Sequence, residues 1–215
     1  MSLDYEIASQ AFAFLGNSLL APMSQTSPAG LLPEFWEEFP DFDNKEVGDA
    51  IEGCLEFARE AHRREGAGEN MVERVSVEYT RLFMGPPRPA AAPWETAYRG
   101  AQGADGFVGF GEATVAMRRT LANLGLEVRN QNNQYADHMG IELLCLSAML
   151  GRVEGGDCEA ADILDFISER PLSWCDDFAA KVSGAMPGGY FSSLVNLVSA
   201  MLHMFEEELG EDFRD

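Results

Sequence analysis

Lys45-Glu46-Val47-Gly48-Asp49-Ala50-Ile51-Glu52-Gly53-Cys54-Leu55-Glu56-Phe57-Ala58-Arg59-Glu60-Ala61-His62-Arg63-Arg64 is a run whose apolar side chains return at every third or fourth position. Val47, Ile51, Leu55 and Ala58 fall on one side of a 3.6-residue period, and acids and arginines fill the other. The spacing predicts an amphipathic helix from about Lys45 to Arg64, ended by Gly66 and Gly68. The same period recurs outward in both directions, and the strict alternation of a half-buried strand is nearly absent.

Upstream, a helix is expected from about Leu3 to Leu20, stopped at Ala21-Pro22 because the residue before proline avoids helical dihedrals. A short turn follows around Pro33–Phe39. Downstream, Asn70 to Met84 carries Val72, Val75, Tyr79, Leu82 and Phe83 on one face. The pattern then breaks at Gly85-Pro86-Pro87-Arg88-Pro89 and Ala90-Ala91-Ala92-Pro93, which reads as an extended connector, with five glycines between Gly100 and Gly111 close behind. Helices resume at about Glu112–Leu124, Asp137–Leu150, Cys158–Ser168, Leu172–Met186 and Tyr190–Leu209. The expectation is an all-α, single-domain bundle of about eight helices spanning 1–215, with a Pro/Gly-rich hinge at 85–111. That hinge would also permit exchange of lobes between two copies, so a monomer and a domain-swapped dimer both stay open.

Charge narrows the partners. Fifteen basic against thirty-six acidic residues give a formal charge of −21. Such a surface repels phosphate backbones and anionic lipid, which argues against nucleic acid, and it attracts arginine-rich peptides. The acids cluster at Glu34, Glu37, Glu38, Asp41, Asp43, Glu46 and Asp49, and again at the C-terminal end. The longest apolar stretch, Leu194 to Phe205, is interrupted by Asn196, Ser199 and His203 and is too short for stable membrane insertion. The first residues are acidic where a secretory signal needs a basic one. Cys54, Cys145, Cys158 and Cys175 form no C-x-x-C pair and read as buried, reduced thiols. A cytoplasmic location is expected.

Chemistry is sparse. Phosphate-binding glycine loops and the G-x-S-x-G elbow are absent, and three histidines leave a hydrolytic triad little to draw on. His138, Glu142 and Cys145 share one helical face and offer a transition-metal ligand set without a fourth member. The structural alternative has Asp137 capping the helix and Glu142 pairing with His138 one turn back. The stretch from Glu78 to Tyr98 is a helix running into a proline strap that carries Trp94 and Tyr98, either held out for a partner or packed down as a lid.

Tyr79 to Tyr98 resembles the signature Y-x-R-L-F-x-G-P-x-x-x-x-A-P-P-W-E-S-x-Y of the TorD/DmsD chaperones. It keeps Leu82, Phe83, Gly85, Pro86, Pro93, Trp94, Glu95 and Tyr98, with Ala92 and Thr96 as departures. Phe110-Gly111-Glu112-Ala113-Thr114 is similar to the family's F-G-E-P-T. The family's N-E-P-x-D-H-x-x-x-E-L is matched at Asp137, His138, Glu142 and Leu143, with Gln134-Tyr135 where Glu-Pro is usual. An H-L-x-x-W element persists only in Leu172 and Trp174.

The resemblance implies a non-enzymatic cytoplasmic chaperone with no cofactor or metal of its own. Such a protein binds the twin-arginine signal peptide and the apo catalytic subunit of a molybdenum-containing oxidoreductase, assists cofactor insertion and prevents premature export. It implies a recognition surface of Tyr79, Leu82, Phe83, Pro86, Trp94, Glu95, Tyr98, Asp137, His138, Glu142 and Trp174. Two alternatives accompany it: a chaperone for a nitrate-reductase-type enzyme without an export signal, and a metal-dependent helical hydrolase using His138, Glu142 and Cys145.

Overall fold

The computed structural model of the chain describes residues 3–85, 87–99, 110–128 and 134–212. Among these the secondary structure is helical throughout, with no named strand, as the apolar period requires. The long helices are α1 (Tyr5–Leu20), α3 (Lys45–Gly66), α4 (Met71–Tyr79), α6 (Glu112–Asn123), α7 (Met139–Leu150), α8 (Ala160–Glu169), α9 (Leu172–Ala185) and α10 (Tyr190–Asp212). Two short helices, α2 (Pro33–Glu37) and α5 (Thr96–Arg99), lie where a turn and a connector are expected from sequence. The α4 helix continues as one π-helical turn over Thr80–Met84.

Side-chain oxygens start the helices. Asp4, Asn44 and Asn70 accept from the backbone N–H groups of Ile7, Val47 and Glu73 at 2.9, 3.0 and 3.1 Å. The first turn of α10 is served from another helix: Glu78 of α4, itself buried, accepts from Tyr190 N and Phe191 N at 3.2 and 2.8 Å. That long-range cap fixes α10 against α4.

The helices α7 and α10 form the centre. Ten of the twelve residues of α7 are buried, Glu142 among them, and α10 packs on α3, α8, α9 and α4. The α1 helix lies against α7, and the two backbones come close where glycine faces glycine. A methyl group on Gly140 would sit 2.6 Å from the Gly16 carbonyl oxygen, and one on Gly16 would sit 2.8 Å from that of Gly140. Ser9 and Ser147 lock the same crossing, each hydroxyl donating to the other's carbonyl at 2.8 and 2.7 Å.

The proline connector does not extend away from the body. Gly85 adopts φ +85°, and an added Cβ would lie 2.6 Å from the Arg88 backbone, so only glycine fits this turn. Beyond it the chain doubles back: Ala91 N donates to Leu82 O at 2.9 Å, and Ala91 is fully buried. Pro86 and residues 100–109 of the 85–111 stretch read as a hinge lie outside the described residues.

Candidate functional site

Four segments distant in sequence meet around the strap. The end of α4 brings Tyr79, Leu82 and Phe83, the strap brings Trp94 to Tyr98, the start of α7 brings Asp137, His138 and Glu142, and α9 brings Trp174. The aromatic side chains form a continuous row. Tyr79 lies against Phe83, Phe83 against Phe178, and Phe178 against both Trp174 and Tyr98, with ring centroids 5.1 to 6.1 Å apart.

Asp137 pins the strap. One carboxylate oxygen accepts from Thr96 N and Thr96 Oγ1 at 3.1 and 2.6 Å, and the other accepts from Thr114 Oγ1 at 2.7 Å. Its carbonyl takes Glu95 N, and Pro93 O takes Met139 N, both at 2.9 Å. Asp137 therefore does not cap α7. That position belongs to His138, whose Nδ1 accepts from Gly140 N at 3.0 Å.

His138 is fully buried, and burial pushes its pKa down to about 3. The ring is neutral, and with Nδ1 accepting, the proton sits on Nε2, which has no partner among the described residues. The pairing of Glu142 with His138 expected from helical spacing is absent. Glu142 instead accepts from Trp174 Nε1 at 3.1 Å. No donor group reaches its Oε1, which faces Glu95.

Two carboxyl groups therefore meet in the interior. Burial, then the Glu95 charge, raises the Glu142 pKa well above the usual carboxylate range. Burial raises the Glu95 pKa too, opposed by Arg170 and Arg99. Arg99 lies 3.1 Å and Arg170 3.5 Å from Glu95 Oε1. Arg99 also donates to Glu169 O at 2.7 Å and Ser173 Oγ at 3.0 Å, tying α5 to α9.

Of the eleven residues expected at the surface, eight are buried: Tyr79, Leu82, Phe83, Glu95, Asp137, His138, Glu142 and Trp174. Trp94 and Tyr98 are half-buried and packed down, Trp94 on Tyr135 and His138, Tyr98 on Trp174 beneath Lys181. Trp94 Nε1 and the Tyr98 hydroxyl are buried without a hydrogen-bond partner among the described residues. Sequence reading did not single out Thr96, Thr114, Arg99 and Arg170, the partners that hold the two acidic centres. Their letters carry no local signal, because each partner arrives from another element. Among the described residues no three His, Cys, Asp or Glu side chains come together to hold a metal ion, and no helix is long and apolar enough to cross a membrane.

Over residues 41–180 the sequence matches the nitrate reductase delta subunit family. The chain belongs to that family. This member is 23% identical over 141 residues to a candidate Tat proofreading chaperone, DmsD, of Haemophilus influenzae, a match covering 66% of this chain. The match spans 64% of that relative's length. A crystal structure of a candidate redox enzyme maturation protein from Archaeoglobus fulgidus is similar at TM-score 0.45 and 16% identity, over 98% of this chain and 96% of the other. The delta-subunit match and the DmsD relative agree with the TorD/DmsD resemblance carried by Tyr79–Tyr98 and Asp137–Glu142.

Proposed function

We propose that this delta-subunit family member is a cytoplasmic, non-enzymatic chaperone for a molybdenum-containing oxidoreductase. It binds the apo catalytic subunit and its twin-arginine signal peptide, assists cofactor insertion and delays export. The observation that carries the reading is at the strap. Trp94 Nε1, the Tyr98 hydroxyl and His138 Nε2 are each buried without a hydrogen-bond partner among the described residues, in the segments that resemble the family signature. Each unpaired buried group costs about 1–3 kcal/mol, so this region is not optimised for the stability of the free chain alone. A client that lifts the strap and accepts hydrogen bonds there would recover that cost. Tyr79, Leu82, Phe83, Trp94, Glu95, Tyr98, Asp137, His138, Glu142 and Trp174 are then the frame of the client-contact region.

The family description names nitrate reductase, and a second reading is therefore a nitrate-reductase-type client that lacks an export signal and is recognised through its remnant N-terminus or its body. Co-expression with a molybdoenzyme catalytic subunit from the same cell separates the two. Co-purification of the leader-bearing subunit and loss on leader deletion supports the first. Equal recovery of both forms supports the second, and recovery of neither refutes the chaperone reading.

A further inference from the structure

On the outer side of α4, away from the aromatic row, α3, α4 and the turn at Met186–Gly189 enclose an open cleft of about 960 Å³. That is the upper end of the range for small-molecule sites, and enough for a short peptide segment. Phe57, Val77 and Met186 supply apolar surface, over buried Ala61, Met71 and Val75. Val77 is 49% exposed, although a valine on an amphipathic helix is expected inside.

The charges around this cleft are unequal. Glu60 engages Arg63 and Arg64, Glu69 engages Arg74, and Glu78 is spent on the α10 N-terminus. Among the described residues Glu56 and Glu73 stay exposed on the rim without an ion pair, and of the three lining arginines Arg64 and Arg74 are engaged by Glu60 and Glu69, which leaves Arg81. The surplus is negative, and the guanidinium group is the cation whose planar donors fit a carboxylate best.

A glycine supplies an independent sign. Gly53 lines the cleft in the middle of α3, where glycine costs about 1 kcal/mol relative to alanine. Nothing lies within 4 Å of where its Cβ would be. Gly16, also mid-helix, is required by the contact with α7, and the other described helical glycines lie in a first or last turn. No contact among the described residues accounts for Gly53, and a glycine there leaves room for a second backbone to approach closely.

We propose that the cleft between α3, α4 and the Met186–Gly189 turn is the docking site for a peptide segment in which arginines precede an apolar stretch, its backbone passing over Gly53 and its guanidinium groups meeting Glu56 and Glu73. The inference rests on the chaperone reading and divides its labour: the leader segment enters this cleft, and the strap region meets the body of the client. The two regions share α4 and its π-helical turn, with Tyr79, Leu82 and Phe83 on the inner side and Val77 and Arg81 on the outer.

The test is calorimetric titration with a synthetic peptide of two adjacent arginines followed by a leucine- and alanine-rich stretch. Gly53→Leu fills the cleft from a position with room for a side chain, so its thermal midpoint should equal or exceed that of the parent. Its affinity for the peptide should fall about tenfold or more. Glu56→Lys with Glu73→Lys should lower affinity comparably, whereas Glu207→Lys with Glu211→Lys, the same charge change outside the cleft, should not. Unchanged affinity in a folded Gly53→Leu variant, or equal losses in the two charge pairs, overturns the cleft and leaves the chaperone reading standing. A parent protein that binds no peptide yet still retains the client subunit overturns the cleft and favours the leader-independent reading. Binding of neither overturns both.

Discussion

Asp137 shows why the acidic residues of this chain are not all alike. Its three side-chain hydrogen bonds come from a strap residue and from α6, so removing it frees two elements at once. Asp137→Ala should cost at least about 2 kcal/mol, read by urea unfolding, and should speed proteolysis near the strap. An unchanged urea midpoint would contradict the pinning role. Glu142 makes a prediction of a different kind. Its folded pKa is raised, so its stabilising contribution is full below the ordinary glutamate value and is lost as pH rises through the raised value. Glutamine keeps the neutral form at every pH. The thermal midpoint of Glu142→Gln relative to the parent should therefore climb between pH 5 and pH 8, and a constant difference would argue against a protonated Glu142. That His138 and Glu142 lie together at the start of one helix was legible from their spacing. Their partners were not. Asp137 meets Thr96 across 41 positions and Glu142 meets Trp174 across 32, so the local pairings suggested by spacing gave way to tertiary ones.

Among the elements, the helices were the most legible part. The run beginning at Lys45 forms α3 to Gly66, and the breaks at Ala21-Pro22 and Pro187-Gly188-Gly189 lie where the helices stop or restart. Periodicity reports burial, and burial is what holds these helices. It failed at the strap, where prolines imply an extended segment but Gly85 folds the chain back onto the end of α4. Nor could composition reveal which glycines are needed. One substitution separates them. Gly140→Ala drives a methyl group into the Gly16 carbonyl and should cost about 1–3 kcal/mol. Gly53→Ala meets open space and should raise stability by up to about 1 kcal/mol. Chemical denaturation of the two variants should give shifts of opposite sign, and equal losses would mean that Gly53 has a packing role inside the chain.

For the whole molecule, the charge of −21 was plain from composition, but its distribution was not. Arg59 bridges Glu37 of α2 and Glu52 of α3, so part of the basic complement stitches helices together rather than facing solvent. Exposed pairs of this kind contribute about 0–1 kcal/mol each, so the acidic excess acts mainly on encounter and on the choice of partner. The proposed affinity for a client lies in apolar surface: the row from Tyr79 to Tyr98 beneath the strap, and the floor of the α3–α4 cleft. On the proposed function the protein must distinguish an unfinished enzyme from a finished one. The direct measurement is a pair of calorimetric titrations with one client catalytic subunit, first leader-bearing and free of its molybdenum cofactor, then cofactor-loaded and leader-cleaved. The account predicts saturable binding to the first form and none to the second. Equal affinity for both would contradict it.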